Sequence, residues 1–265
     1  MCGSCGCQQR SLPGGADATA AREAAMAESG PRRQVVLEQR LLARNDVQAA
    51  ANRERFQRAG LQVINLLSSP GSGKTALLEA LARRGAEAAD DPGASGLRQA
   101  ALVGDLATDH DARRLRAAGL PALQINTGQG CHLEAAEVSR ALDRLEAEGT
   151  PLAGLERLWI ENVGNLVCPA GFDLGEALRV VLLACSEGED KPLKYAPMFH
   201  SADLVLISKI DLAEVVGFDE AAARGAIARV APRAQVLPVS ARSGEGLAAL
   251  TQRLMGAGTT PADRR

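Results

Sequence analysis

The stretch Asn65-Leu66-Leu67-Ser68-Ser69-Pro70-Gly71-Ser72-Gly73-Lys74-Thr75 constrains this chain more than any other. An apolar run leads into a turn of small residues, and Lys-Thr then opens a helical stretch. That order is the one a phosphate-binding loop requires: backbone N–H groups turned inward on phosphate oxygens, a helix N-terminus behind them, and a lysine charge for the β- and γ-phosphates. Ser69, Gly71, Ser72, Gly73, Lys74 and Thr75 are the expected nucleotide-binding set, with Thr75 holding Mg²⁺. The general pattern begins with Gly where this chain has Ser68. A glycine-rich loop that merely turns the chain would not need the strand, the Lys-Thr pair and the helix in sequence.

Such a loop belongs in a parallel sheet with crossover helices, and the rest of the chain has that rhythm. Apolar runs at Val63–Leu67, Ala100–Val103, Ala122–Ile125, Leu158–Ile160, Val180–Ala184, Leu204–Ile207 and Val236–Val239 read as buried strands. Between them Thr75–Arg84, Asp109–Ala118, Leu133–Glu148, Glu220–Val230 and Gly246–Met255 read as helices, and a long amphipathic helix runs from Val35 to near Gly60. The predicted fold is α/β, a P-loop nucleotide hydrolase with a mainly parallel sheet of about seven strands and helices on both faces. Residues 8–31 are rich in Gly, Ala, Ser and Pro and too poor in large apolar side chains to offset the entropy of ordering. A flexible tail over residues 1–31 and a nucleotide domain over residues 32–265 are therefore expected.

Composition narrows the partners. With 46% hydrophobic and 23% charged residues, the 265-residue chain has enough apolar material for a real core. Aromatics are 2%, and 30 basic residues balance 32 acidic ones, which argues against nucleic acid. No apolar run approaches the roughly 18 residues of a membrane span, and the first residues carry no apolar signal core, so a cytoplasmic protein without membrane contact is expected. Its six cysteines should then be thiols, and clustered ones metal ligands.

Downstream landmarks point to the nucleotide. Leu158-Trp159-Ile160-Glu161-Asn162-Val163-Gly164 is a strand ending in a carboxylate, with a glycine whose amide can reach a γ-phosphate. Ser208-Lys209-Ile210-Asp211 resembles the guanine-reading Asn-Lys-x-Asp element. A carboxylate at Asp211 accepts from both N1–H and the exocyclic amine of guanine, a pairing adenine does not offer. Ser208 in place of Asn removes an amide that braces the loop and weakens binding while leaving the preference intact. Val239-Ser240-Ala241 resembles the element whose amide meets the guanine carbonyl, so Ser240 and Ala241 join Gly164, Lys209 and Asp211 in the nucleotide set. Lys74, Asp105 and Glu161 are the expected catalytic residues, with Thr75, Asp105 and Glu161 organising Mg²⁺ and its water shell. The motifs mark no arginine finger, so turnover should be slow unless an assembly supplies the charge.

Cys2, Cys5 and Cys7 form a C-x-x-C-x-C array. If Met1 is removed, the α-amine of Cys2 makes a fourth donor, and Gly3 and Gly6 permit the planar N/S set that favours Ni(II) or Cu(II). Structural zinc or incidental thiols are the other readings. Gly130-Cys131-His132 offers a second pair of donors that needs Cys168, water or another subunit to complete a site; the alternative is buried-thiol packing. Cys185, after an apolar strand, is most simply a core or rim thiol.

Together these residues resemble the HypB family, hydrogenase nickel-incorporation GTPases of the SIMIBI class. The likeness runs through the cysteine tail, the phosphate loop, Gly104-Asp105 with Thr108 and Asp111-Ala112, and Asn126-Thr127-Gly128-Gln129-Gly130-Cys131-His132-Leu133. It continues through Glu161-Asn162-Val163-Gly164-Asn165-Leu166-Val167-Cys168-Pro169, Glu187-Gly188-Glu189-Asp190-Lys191-Pro192-Leu193-Lys194-Tyr195 and Ser243-Gly244-Glu245-Gly246. Ser68 fits that family's form of the loop. The resemblance implies a tight nickel site at Cys2, Cys5 and Cys7 and a weaker nickel/zinc site at Cys131, His132 and Cys168. It also implies GTP-dependent homodimerisation, a HypA-type nickel chaperone as partner, and the nickel-iron hydrogenase large-subunit precursor as target. With only His110, His132 and His200, the chain has no His-rich tract, so delivery without bulk storage is expected. A nickel-inserting nucleotidase of the urease or CO-dehydrogenase type is the alternative, and a storage protein would have no use for a phosphate loop. Because Cys168 follows Glu161 closely, metal affinity is expected to follow nucleotide state.

Overall fold

The computed structural model describes residues 31–89, 97–128 and 130–258, with the side chains of 31–38 and 87–89 outside that description. Contacts divide the chain into residues 1–43 and a unit Arg44–Arg265 that carries the sheet. The Cys2, Cys5 and Cys7 array lies outside the described residues.

Seven strands form one sheet: β1 (Gln62–Ser68), β2 (Gln99–Asp105), β3 (Ala122–Asn126), β4 (Arg157–Glu161), β5 (Leu178–Ala184), β6 (Leu204–Ser208) and β7 (Gln235–Pro238), in the order β3-β2-β4-β1-β5-β6-β7. Every pairing is parallel. The helices are α1 (Pro31–Arg58), α2 (Lys74–Ala89), α3 (His110–Ala117), α4 (Ala135–Ala147), α5 (Lys191–Lys194), α6 (Ala196–His200), α7 (Ala213–Val216), α8 (Glu220–Val230) and α9 (Leu247–Met255). Each of the seven apolar runs in the sequence is a strand.

Alternation along the central strands explains the layers. On one face Ile64, Leu66, Val180 and Leu182 pack under Leu78 of α2, Leu115 of α3 and Leu250 of α9. On the other, Val63 and Leu102 meet Phe56 of α1 and Leu142 of α4, while Leu67, Val181 and Ile207 meet Phe199 of α6 and Ile227 of α8. Because β1, β4 and β5 are covered on both sides, their sequences are largely apolar, with Asn65 and Arg179 as buried exceptions inside β1 and β5. The helices of four or five residues, α5, α6 and α7, were not expected. So short a segment has no 3.6-residue period to read; Pro192 and Pro197 sit in the first turns of α5 and α6, where proline's fixed φ helps.

The chain leaves β1 toward β2 and β3, returns through β4, and crosses to β5, β6 and β7. That reversal opens a crevice beyond the carboxyl ends of the central strands, where ligands of such sheets bind. No helix among the described residues is long and apolar enough to cross a membrane.

Candidate functional site

The phosphate loop joins the end of β1 to α2. Gly71 and Gly73 have φ of 74° and 96°, a left-handed backbone that lets the loop curl on itself. Lys74 is buried, and its Nζ donates to Ser68 Oγ at 2.9 Å. Ser68 therefore supplies an acceptor that Gly, usual at that position, would lack. Burial lowers the Lys74 pKa, against the raising influence of Glu161, Asp111 and Glu187.

Thr75 Oγ1 donates to Glu161 Oε1 at 2.7 Å, bringing together the two residues expected beside a cation. The other oxygen of Glu161, Oε2, is buried with no hydrogen-bond partner among the described residues. Burial pushes the Glu161 pKa up to about 7, outweighing the lowering by Lys74 and the Thr75 hydrogen bond. A buried carboxylate oxygen beside a threonine hydroxyl at the head of α2 is a donor set that fits Mg²⁺. Asp105 is placed differently. Its Oδ2 accepts from the Thr108 amide at 3.0 Å and hydroxyl at 2.7 Å. Partial burial raises its pKa, but these bonds and those from the Leu106 and Ala107 amides hold it below the ordinary carboxylate value. Gly164 touches the loop: a Cβ there would lie 2.8 Å from Pro70 Cα, so the segment after β4 and the phosphate loop are in backbone contact.

A cavity of about 330 Å³ beside the loop is lined by Gly73, Lys209, Asp211, Ser240 and Ala241 among others, so the expected guanine-reading residues converge on one space. Lys209 has φ of 58°, the one positive value outside glycine among the described residues. Its side-chain Cε passes 3.9 Å from where a Cβ on Gly73 would be. Its carbonyl accepts from the Leu212 amide at 2.9 Å and the Cys185 thiol at 2.9 Å, which gives Cys185 a bonding role beyond packing. Ser208 Oγ donates to Ser72 O at 2.8 Å, so a hydroxyl braces the loop where the general motif uses an amide. The Ser240 amide is engaged within its own turn with Glu245 O at 2.9 Å.

Sequence reasoning assigned no role to Glu187. It accepts from Ser69 Oγ and Ser72 Oγ, both at 2.6 Å, and pairs with Lys191 at 3.5 Å, fixing the loop from the β5 side. Its signal was its place in the Glu187–Tyr195 stretch.

Cys131, His132 and Cys168 come together: their ligand atoms lie within 4.8 Å of one another, and all three residues are half-buried. Cys131 Sγ is 3.6 Å from His132 Nδ1. The His132 ring stacks on Phe172 with centroids 3.8 Å apart, and its Nε2 is buried without a hydrogen-bond partner among the described residues. Burial lowers the His132 pKa against Glu134 and Glu137, which favours the neutral, ligating imidazole. The Cys131 pKa is raised by the neighbouring Cys168 thiol and by burial, so Cys131 holds its proton until an ion displaces it. Two thiols and an imidazole suit zinc or nickel, with one further ligand needed for four-coordination.

Residues 62–238 match the protein family described as CobW/HypB/UreG, nucleotide-binding domain. The chain is 53% identical over 221 residues to the hydrogenase maturation factor HypB of Azotobacter vinelandii, an alignment covering 81% of this chain and 67% of that protein. Among solved structures it is similar to HypB of Helicobacter pylori in complex with nickel, with a TM-score of 0.73, 42% identity, and 80% and 94% of the two chains covered. It is also similar to the hydrogenase maturation factor HypB of Archaeoglobus fulgidus, with a TM-score of 0.69, 35% identity, and 81% and 98% covered.

Proposed function

The chain belongs to the HypB family of hydrogenase maturation factors, and on that premise we propose that it is a GTP-hydrolysing nickel metallochaperone that delivers Ni(II) to the nickel-iron hydrogenase large-subunit precursor. The observation that carries this reading is the coexistence, beyond the carboxyl ends of one sheet's strands, of a phosphate loop with a guanine-type cavity and a Cys131–His132–Cys168 cluster.

In this reading the loop amides and Lys74 hold the triphosphate, and Asp211 selects guanine through two hydrogen bonds. The Lys209 stem covers the Gly73 side of the pocket. Because the Ser240 amide serves its own turn, Ala241 is the residue of that pair that meets the guanine carbonyl. Mg²⁺ held by Thr75 and Glu161, with Asp105 in its outer shell, would neutralise charge on the β- and γ-phosphates. Burial favours the protonated form of Glu161 in the metal-free site, and a cation there would displace that proton and leave the carboxylate charged to orient the attacking water through the metal's water shell. The Gly164 amide follows the γ-phosphate, and contact between Gly164 and Pro70 passes the change at hydrolysis to the segment bearing Cys168. Nickel is the cargo: Cys2, Cys5 and Cys7 form the tight site of a tail over residues 1–31, and the cluster on the domain of residues 32–265 is the weaker nickel/zinc site. A GTP-dependent homodimer in the cytoplasm, receiving metal from a HypA-type chaperone, completes the proposal.

Two measurements test it. Turnover should occur with GTP and not with ATP, and equal turnover would remove the guanine reading. Nickel titration of the untagged protein should give a thiolate-to-Ni(II) charge-transfer band that Cys2→Ala abolishes; an unchanged spectrum would sink the tail site.

A further inference from the structure

The three donors of the cluster sit on two separate segments. Cys131 and His132 precede α4, and Cys168 opens the turn after β4. Neither segment is a long regular element, so something else must keep the donor atoms within 4.8 Å. Buried polar side chains that belong to neither the nucleotide site nor the donor set do so from two sides.

From α1, Asn45 accepts from the Ala135 amide at 2.9 Å and donates to Asp173 O at 2.7 Å. Two turns later Asn52 donates to Ala135 O at 2.8 Å and Leu174 O at 3.2 Å. Each asparagine thus bridges the end of the Cys131–His132 segment to the residues just past Phe172. A Cβ on Gly175 would meet Ala49 O at 2.7 Å, so the helix is pressed directly onto that segment.

From the sheet, Arg179 of β5 donates to Ala170 O at 3.1 Å and Phe172 O at 2.9 Å, gripping the turn opened by Cys168. Its guanidinium is held by Glu176 at 2.8 Å, and the two side chains are 6% and 0% exposed. Asn162 Oδ1 accepts from the Leu133 amide at 3.1 Å and so anchors the residue next to His132. Burying an ion pair and three amides is costly unless each is bonded, and here their partners include backbone groups at or beside the two donor segments.

We propose that Asn45, Asn52 and the Glu176–Arg179 pair are positioning residues for the metal cluster: they hold its two segments at ligating distance before any ion arrives. The inference rests on the reading of Cys131, His132 and Cys168 as a metal site, and the test separates the two. Metal-free full-length protein is treated with dibromobimane, which bridges only thiols already close together, and the Cys131–Cys168 bridge is quantified by peptide mass. Co²⁺ uptake by the same proteins, with Cys2, Cys5 and Cys7 changed to Ser, is followed by its thiolate charge-transfer band, and GDP affinity reports on the rest of the fold.

The unaltered residues should give an efficient bridge and a Co²⁺ band that Cys168→Ala removes. Asn52→Leu and the paired change Glu176→Gln with Arg179→Gln should each cut the bridge yield and weaken Co²⁺ by roughly 10–100-fold, with GDP affinity unchanged. The paired change removes both charges together, and Asn52→Leu tests the α1 side should the paired protein not fold. Bridge yield and Co²⁺ affinity unchanged in both variants would overturn the positioning role. Efficient bridging without Co²⁺ uptake in the unaltered cluster would instead overturn the metal reading on which it rests.

Discussion

The phosphate loop and the cysteine–histidine cluster both follow strand ends of one sheet, yet they differ in how much of their bonding the protein completes alone. In the loop, Lys74 is met by Ser68, Thr75 by Glu161, and Ser69 and Ser72 by Glu187, leaving Glu161 Oε2 as the orphan. In the cluster the donors lean on one another, Cys131 Sγ resting against His132 Nδ1 through a weak sulfur hydrogen bond of 3.6 Å, and His132 Nε2 has no hydrogen-bond partner among the described residues. A site bonded throughout is rigid and ready for a ligand of fixed shape. Donors linked only by weak sulfur contacts give up little protein bonding when an ion enters and regain those contacts when it leaves. The contrast matches a nucleotide that must be gripped and a metal that must be passed on.

The largest expected effect tests whether the two regions are separable. Lys74→Ala removes the charge on the triphosphate and should lower GTP turnover by roughly 10³-fold, with Co²⁺ binding at the cluster untouched. Steady-state phosphate release and a Co²⁺ titration on one preparation check both halves. Loss of metal binding alongside turnover would mean the regions are one cooperative unit.

Next comes the orphaned carboxylate. The folded Glu161 keeps its proton up to about pH 7, against 4.5 for the ordinary side chain. Below about 4.5 the group is protonated in both states and the fold is not penalised. As pH rises to about 7 the unfolded chain gains a solvated charge that the folded chain resists, so stability falls by on the order of 3 kcal/mol across that window. Glu161→Gln should remove this slope. Urea unfolding at pH 5 and 7.5, comparing the two proteins, measures it, and parallel pH dependences would show that Glu161 ionises freely in the fold.

Cys168→Ala probes the other region. Losing one of three protein ligands should weaken Co²⁺ by at least about 100-fold, while GTP turnover stays near that of the unaltered protein. If turnover fell equally, the cluster would be holding the Gly164–Cys168 segment in place for hydrolysis instead of serving as a releasable site.

The same contrast decides what could be read in the sequence. The nucleotide site was legible because strand, loop, Lys74 and Thr75 are contiguous, and because fully buried strands appear as largely apolar runs. Glu161 was found because it ends such a run, and Asp211 because Ser208-Lys209-Ile210-Asp211 resembles the guanine-reading element. Glu187 was not assigned a role, since that needs the knowledge that β5 lies beside β1, and chain order does not give it. The cluster was legible in its donors alone. Cys, His and Cys mark a metal by type, but the residues that set their spacing, Asn45, Asn52, Glu176 and Arg179, look in sequence like an ordinary polar helix face and strand end. Asp105 was legible in its spacing but not in its bonding. Its spacing suggested a place near the cation, and its carboxylate makes its hydrogen bonds within its own turn, with Thr108.

Ser208 gives the smallest and most pointed test. Its hydroxyl reaches Ser72 O across the loop at 2.8 Å, and both residues are buried. Ser208→Ala would leave the Ser72 carbonyl short of a donor in a dry site, a loss of about 1 kcal/mol. GDP and GTP should therefore weaken together by roughly fivefold, since the brace acts on the loop's shape and not on the γ-phosphate. Restoring the donor as Ser208→Asn should return affinity to at least the starting value if bracing is the whole role. A change confined to GTP, read by calorimetry with GDP and a non-hydrolysable GTP analogue, would place Ser208 in the switching machinery. The nucleotide site's brace would then belong to the response to the γ-phosphate, and the line drawn between a gripping region and a releasing one would have to move.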